Sequence, residues 1–255
     1  MKSRDSSHRT RFEGLRKIVQ FNWPFYLVGG ALLIGGSVGL FLLHQRLPPT
    51  LFITGLAAIS LAAWWLIASL IASHWIYDRA RIYDFQWLNL PEPDTAAILT
   101  AGFDESLPGL SRKWPDTEWR LLNFYDAESM SEPSIQRAIN RYPLSVEWQS
   151  CQFDQWPTGD ARFDLILFPF SAHELRSPPE RVALLKEAKR SLKPTGRILI
   201  IEHLRNLPNA IAFGPGFFHF HSETAWQSDF EEVGLHLQKV QRLTCFVKAS
   251  LLESL

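Results

Sequence analysis

The sequence predicts an α/β domain, a parallel sheet with helices on both faces and an antiparallel hairpin at one edge, preceded by a two-helix transmembrane hairpin. Three observations predict it. Two long uncharged runs, Pro24–Leu43 and Pro48–Ser73, lie near the start of the chain. From Asp94 onward, short apolar runs alternate with segments of helical periodicity. Two strand-like runs, Leu235–Leu243 and Thr244–Leu252, close the chain with almost no spacer. Alternating strands and helices imply a parallel sheet covered on both faces, and adjacent closing strands imply an antiparallel edge.

The first uncharged run has 20 residues and the second 26. At about 1.5 Å per residue, 20 residues reach about 30 Å, the thickness of a bilayer's hydrocarbon core. Only His44, Gln45, Arg46 and Leu47 separate the runs, so they form a hairpin. The first run is too long for the apolar part of a signal peptide, and a second span follows at once. The net charge of zero divides unequally: +4 over residues 1–22, +1 over 23–73 and −5 over the rest. Basic residues concentrate on the cytoplasmic side of spans, which predicts an integral membrane protein with both termini and the main domain in the cytoplasm. Trp23, Tyr26, Trp75 and Tyr77 fall at that same interface. Ala31, Gly35 and Gly39 recur on one face of the first helix, and Ala58 and Ala62 on the second; these small residues are expected to pack the hairpin against itself. Trp64 and Trp65, near mid-span, are expected to face lipid or the first helix. The resulting division is a basic segment 1–22, a hairpin 23–77 with spans at about 24–43 and 48–73, and a domain 78–255.

Within the domain, Ala96–Thr100, Trp119–Tyr125, Ser145–Trp148, Phe163–Phe168 and Arg197–Ile201 read as strands. Ser131–Tyr142, Ser177–Leu192 and Ser222–Val233 read as helices. Ser177 and Glu180 have capping-box spacing with Pro178 at the first turn. Val182, Leu184, Leu185, Ala188 and Leu192 give that helix an apolar face. The domain is mildly acidic, which argues against a nucleic-acid partner. Cys151 and Cys245 stand far apart, which excludes a disulfide-stapled fold and a zinc ribbon. Nothing in the sequence sets the oligomeric state.

Open α/β sheets bind ligands at the carboxyl ends of their strands. The informative residues are then Gly102 to Glu105, Asp126, the stretch around Asp154, Ser171 to Glu174, and Glu202 with His203. Here the residues resemble a family. Phe163 to His203 reads FDLILFPFSAHEL, a helix, then RSLKPTGRILIIEHL. This is similar to the fourth strand, helix and fifth strand of class I S-adenosylmethionine-dependent methyltransferases, the ubiquinone and menaquinone C-methyltransferases in particular. The resemblance spans roughly 94–252. Gly102 to Glu105 and Trp75–Leu88 also resemble membrane-anchored, methyltransferase-like bacterial proteins. The resemblance implies a Rossmann-like methyltransferase sheet and S-adenosyl-L-methionine as cofactor. It implies cofactor contacts from Gly102, Phe103, Asp104, Asp126, Asp154 and Phe170, with Asp126 at the ribose hydroxyls. The sequence departs from the family in its first turn. Thr100 stands where the family has an acid, and Asp104 and Ser106 stand where it has glycines. The three-glycine turn of a nicotinamide dehydrogenase is absent.

Methyl transfer needs an acceptor held in line with the methyl carbon, and a base where the acceptor carries a proton. His173, Glu174 and His203 are the candidate catalytic residues, with His219 and His221 beyond them. The competing reading of each histidine is one hydrogen-bonded within the core or a lid. No metal site is expected, because the histidine spacing matches no metal motif. Leu204–His221 carries four Phe and two Gly, and long apolar loops of this kind serve as lids, although a helix and loop packed on the sheet is the alternative. These features together predict methyl transfer to a small lipophilic acceptor, quinone- or lipid-like, beside the bilayer. The alternative is a non-catalytic methyltransferase-like domain that binds a ligand or a protein at the membrane.

Overall fold

The computed structural model describes residues 10–254. Lys2, Arg4, Asp5 and Arg9 of the basic N-terminal segment lie outside the described residues. Seven strands form one sheet in the order β3-β2-β1-β4-β5-β7-β6. They are β1 (Thr95–Thr100), β2 (Glu118–Asn123), β3 (Gln149–Ser150), β4 (Phe163–Pro169), β5 (Leu192–His203), β6 (Leu235–Arg242) and β7 (Val247–Ser254). β1 to β5 are mutually parallel, and β7 runs antiparallel to both β5 and β6. The strand order reverses between β1 and β4, which opens a crevice at their carboxyl ends.

Both faces of the sheet are buried, which is why β4 and β5 read as unbroken apolar runs. Ile166, Phe168, Ile198 and Ile200 pack on one side with Leu184 and Leu185 of α5 (Pro178–Ser191) and Phe230 of α7 (Glu223–Val233). Leu165, Leu167, Leu199 and Ile201 pack on the other with Ile76, Ile82, Phe85 and Leu110. Ser177 and Glu180 form the reciprocal capping box. Arg181 and Asp229 join α5 to α7 through a buried ion pair of 2.7 Å.

Three elements differ from the sequence reading. Ser145–Trp148 is a turn with Val146 fully exposed, and the edge strand β3 has only two residues. β5 begins five residues earlier than read, at Leu192. The short α3 (Leu107–Lys113) had no sequence signal, because Pro108 and Gly109 interrupt its pattern. Leu204–His221, for which a lid loop or a helix and loop was expected, follows the second alternative: a helix, α6 (Leu207–Phe213), and a 3-10 turn over Gly214–His219.

Helices α1 (Glu13–Leu43) and α2 (Pro49–His74) are each long and apolar enough to cross a membrane. Leu32, Ile34, Phe41 and Leu42 are among the apolar side chains they expose. The pair packs antiparallel in one register. Gly29 faces Leu66, Gly36 faces Ile59, Gly55 faces Leu40, and the Tyr26 hydroxyl lies 3.4 Å from Ser69 Oγ. Close approach therefore uses Gly29, Gly36 and Gly55. Gly35 and Gly39 face open space, contrary to the stripe read from the sequence. Trp64 and Trp65 also differ from expectation: Trp64 Nε1 donates to the Ile211 carbonyl at 3.0 Å, and Trp65 covers Gly214.

The first turns of α1 belong to the domain rather than the hairpin. The helix breaks at Asn22 (φ −115°, ψ 17°), two residues before Pro24, whose ring removes a backbone donor. Before the break, Phe21 is buried against Phe103 and Tyr142. Asp78, in the π turn Trp75–Arg79 that ends α2, accepts from the Gly14 and Leu15 amides at 2.7 and 3.1 Å and pairs with His74 at 2.8 Å. Asp78 thus ties the start of α1 to the end of α2 and satisfies two otherwise orphaned amides.

Gly109 sits where a Cβ would meet the Tyr83 carbonyl oxygen at 1.8 Å, so backbone must move to admit one. Gly109→Ala is expected to destabilise the fold by about 2–3 kcal/mol. Gly159→Ala, at a glycine with open space around it, is expected to leave the melting temperature unchanged. Thermal unfolding of the purified chain followed by tryptophan fluorescence checks both.

Candidate functional site

The crevice is lined by residues that follow β1, β2, β4 and β5. At β1, the buried Thr100 hydroxyl donates to the Phe103 carbonyl and closes the turn. Gly102 adopts φ +96°, a conformation that side chains resist. A Cβ there would meet Ile139 Cδ1 at 2.6 Å and the Tyr125 ring at 3.2 Å, so protein packs directly on this glycine. Asp104 caps α3: its two oxygens each accept a backbone N–H at 3.0 Å, from Ser106 and Leu107. Burial raises the Asp104 carboxyl, opposed by its bonds to Ser106 and Leu107. Phe103 is held between Phe21 and Tyr142.

At β2, Asp126 is fully exposed. It accepts from the Glu128 amide at 3.1 Å and Ser129 Oγ at 2.8 Å, and these bonds hold it below the usual carboxylate range. Asp154 is exposed in the turn between Gln152 and Gln155. At β4, Phe170 takes φ +54° and packs on Tyr77, Tyr83 and His203. Ser171 Oγ donates to the Leu99 carbonyl at 2.7 Å and joins β4 to β1 across the crevice.

The next residues form a buried charge chain. His173, in the 3-10 turn Ala172–Glu174, has Nδ1 2.6 Å from Glu202 Oε2 and Nε2 3.2 Å from Glu174 Oε1. His219 Nε2 lies 3.6 Å from that same Glu174 oxygen, and His219 Nδ1 lies 2.7 Å from Glu132 Oε1. Burial alone would depress His173, but Glu202 and Glu174 outweigh it and raise the imidazole well above its ordinary value. His219 is raised in the same way by Glu132 and Glu174. Burial would raise Glu174, yet His173 and His219 hold it below the carboxylate range. His173 is thus shifted strongly, and His219 in the same direction, towards the imidazolium form.

His203 is the opposite case. Burial, reinforced by the charge on His173, lowers it to about 3, so it is neutral. Its Nε2 is 2.9 Å from the Tyr77 hydroxyl, and its ring stacks on Phe220 at 4.7 Å. Its Nδ1 is buried without a hydrogen-bond partner, and so is Asn209 Oδ1.

The structure thus brings His173, Glu174 and His203 to one end of the sheet, with Phe170 against His203. Asp126, Asp154 and the β1 turn lie on the other arm, where Phe103 and Asp104 serve local structure. Sequence reading missed Tyr77 and Glu132 as partners. Tyr77 carried only an interfacial-aromatic signal, and Glu132 only that of a residue before a helix.

Comparisons with known proteins bear on the fold. Residues 125–196 match the family model described as a methyltransferase domain. No curated protein matches the chain. A S-adenosylmethionine-dependent methyltransferase from Aquifex aeolicus is similar at 20% identity and TM-score 0.51, over 69% of this chain and 93% of that one. Human N-acetylserotonin methyltransferase, solved with S-adenosylmethionine, is similar at 13% identity and TM-score 0.53, over 93% of this chain and 70% of that one. An O-methyltransferase of neocarzinostatin biosynthesis, solved with S-adenosylmethionine and 2-hydroxy-5-methyl naphthoic acid, is similar at 16% identity and TM-score 0.52, over 95% and 73%. The domain has the α/β fold of class I S-adenosylmethionine-dependent methyltransferases, antiparallel edge included.

The neutral state of His203 has a consequence for stability. Its pKa is depressed on folding, so its contribution is complete above about 6.5, the unfolded value, and declines as pH falls towards the folded value of about 3. In that interval the unfolded chain binds the extra proton. Relative to His203→Gln, the native chain is expected to lose about 1.4 kcal/mol per pH unit below 6.5. Parallel denaturant titrations of the two proteins between pH 8 and 4 measure this difference directly.

Proposed function

We propose that this chain is a membrane-anchored methyltransferase that uses S-adenosylmethionine on a small lipophilic acceptor, quinone- or lipid-like. The observation that carries the acceptor class is the seat of α6 on α2. Tyr26 stands level with Ser69 and Gly29 level with Leu66, so Trp64 and Trp65 lie seven to eight residues beyond Ala72, which faces the domain. At about 1.5 Å per residue that is about 11 Å into the apolar part of the hairpin. The α6 segment rests there and exposes Leu207 and Ile211. Its continuation, through Phe213 and Phe220, covers His203. An acceptor that leaves the bilayer along α6 would reach the strand ends without crossing water.

The β2 arm offers groups that would hold the cofactor. Asp126 offers an exposed carboxylate at the strand end for the ribose hydroxyls, and Gly102 keeps the left-handed turn. Bound there, S-adenosylmethionine supplies an electrophilic methyl group. An acceptor hydroxyl or acidic carbon must give up a proton when it is methylated. His203 is a neutral imidazole at the strand ends, hydrogen-bonded to the Tyr77 hydroxyl; its low pKa makes it a weak base, so the pair is placed to orient the acceptor by hydrogen bonding while the proton leaves to solvent. His173, positioned by Glu202, marks the place where positive charge, a proton on its ring or a bound cation, would stand near the oxygen that develops negative charge.

One observation favours a second reading. Ile139 and Tyr125 pack on Gly102, and Asp104 is committed to capping α3. A domain that keeps this arrangement permanently would bind a ligand or partner without catalysis. Calorimetry on the full chain in detergent separates the readings. Catalysis requires that S-adenosylmethionine binds and that Asp126→Ala weakens it by about tenfold or more, as expected for lost hydrogen bonds to a charged group. Absence of binding favours the non-catalytic reading. Replacing Leu207 and Ile211 together by Ser is expected to leave cofactor binding intact and to reduce methylation of a lipid extract strongly.

A further inference from the structure

The methyl-transfer reading uses one edge of the buried charge chain and leaves its centre unexplained. That centre brings three potential ligand groups together. One ligand atom from each of His173, Glu174 and His219 lies within 4.8 Å of the other two. Two of the separations, 3.2 Å from Glu174 Oε1 to His173 Nε2 and 3.6 Å to His219 Nε2, approach the roughly 3.3 Å between neighbouring ligands of a tetrahedral ion with bonds of about 2.05 Å.

We propose that His173, Glu174 and His219 form a binding site for one divalent cation of the zinc class. Two imidazoles and one carboxylate are a donor set that zinc takes, with a fourth position open. The groups behind the ligands support the assignment independently. Each histidine turns Nδ1 outward to a carboxylate, His173 to Glu202 at 2.6 Å and His219 to Glu132 at 2.7 Å. That is how metal-ligating histidines are oriented: the outer carboxylate fixes the tautomer and presents Nε2 to the ion. Arg176 stands on the outer side, its guanidinium 3.1 Å from His219 Nδ1 and bonded to the Phe218 and His219 carbonyls.

Charge points the same way. Glu132, Glu174 and Glu202 bring three negative charges to two imidazoles in a largely buried space. A dication held between the two imidazoles would offset two of those charges. The ligands come from two elements. His173 and Glu174 follow β4, while His219 ends the 3-10 turn beyond α6. The ion would therefore clamp the α6 segment to the sheet, whatever reaction the crevice supports.

The test uses the full chain in detergent, stripped with a chelator and titrated with zinc alone. One zinc per chain is expected by calorimetry and elemental analysis, with slower amide exchange across 204–221 when zinc is bound. His219→Ala and Glu174→Gln are each expected to lower the affinity by at least about tenfold, and Glu132→Gln, at the exposed rim, by about tenfold. His236→Ala, on exposed β6, is expected to change nothing. Should a buried variant misfold, Glu132→Gln still decides. Absence of zinc binding by the native chain overturns the site. So does zinc binding that is equally tight in the folded Glu174, His219 and Glu132 variants. Neither result bears on cofactor binding, which is measured separately.

Discussion

Charge buried at the carboxyl ends of β4 and β5 constrains everything around it. An isolated buried carboxylate or imidazolium is costly, so each must meet partners of opposite sign. Glu202 meets His173, His173 meets Glu174, Glu174 meets His219, and His219 meets Glu132. Each link fixes the next, and together they draw in three separate pieces of chain. β5 supplies Glu202, the turn after β4 supplies His173 and Glu174, and the far end of the α6 segment supplies His219. Glu132 brings the approach to α4 (Pro133–Arg141) to the same place. The position of the α6 segment over the strand ends follows from this chain as much as from its own apolar packing.

The hairpin adds a second constraint. Its register is set by glycines that admit Leu66, Ile59 and Leu40, and this register places Trp64 and Trp65 under α6. Asp78 then fixes the start of α1 against the end of α2, and Phe21 seals the helix onto Phe103. The two apolar helices are thus part of the domain's own packing: Ala72 and Ile76 lie in the same core cluster as Ile98 and Leu167. The segment seated on the hairpin and the neutral histidine beneath it are thus held in one continuous packed unit.

Much of this was legible in the sequence because it is local. β4 and β5 are buried on both faces, so they read as FDLILF and RILII. The capping box at Ser177 and Glu180 needs only three residues of chain. The ends of β4 and β5 followed from the strands, and so the sequence pointed to His173, Glu174 and His203. What was not legible depends on distant chain. β3 is two residues pinned to the edge of β2, and nothing in Gln149–Ser150 marks them. Ala31, Gly35 and Gly39 have the spacing of a packing stripe, yet Gly29 and Gly36 make the contact, because tilt and rotation are set by the partner helix. The role of Tyr77 depends on His203, 126 residues away. Glu132 and His219 meet only through the fold. The departures at Asp104 and Ser106 were visible as substitutions, but their use in capping α3 was not.

If the proposed function holds, the buried strand ends act on a molecule drawn from the bilayer. The most direct measurement places the full chain in vesicles made from a lipid extract of its source membrane, with S-adenosylmethionine labelled in the methyl group. After reaction, the vesicles are partitioned between organic solvent and water. The account requires label in a small molecule of the organic phase. Label confined to a water-soluble product, or no transfer by a chain that binds the cofactor, would contradict it.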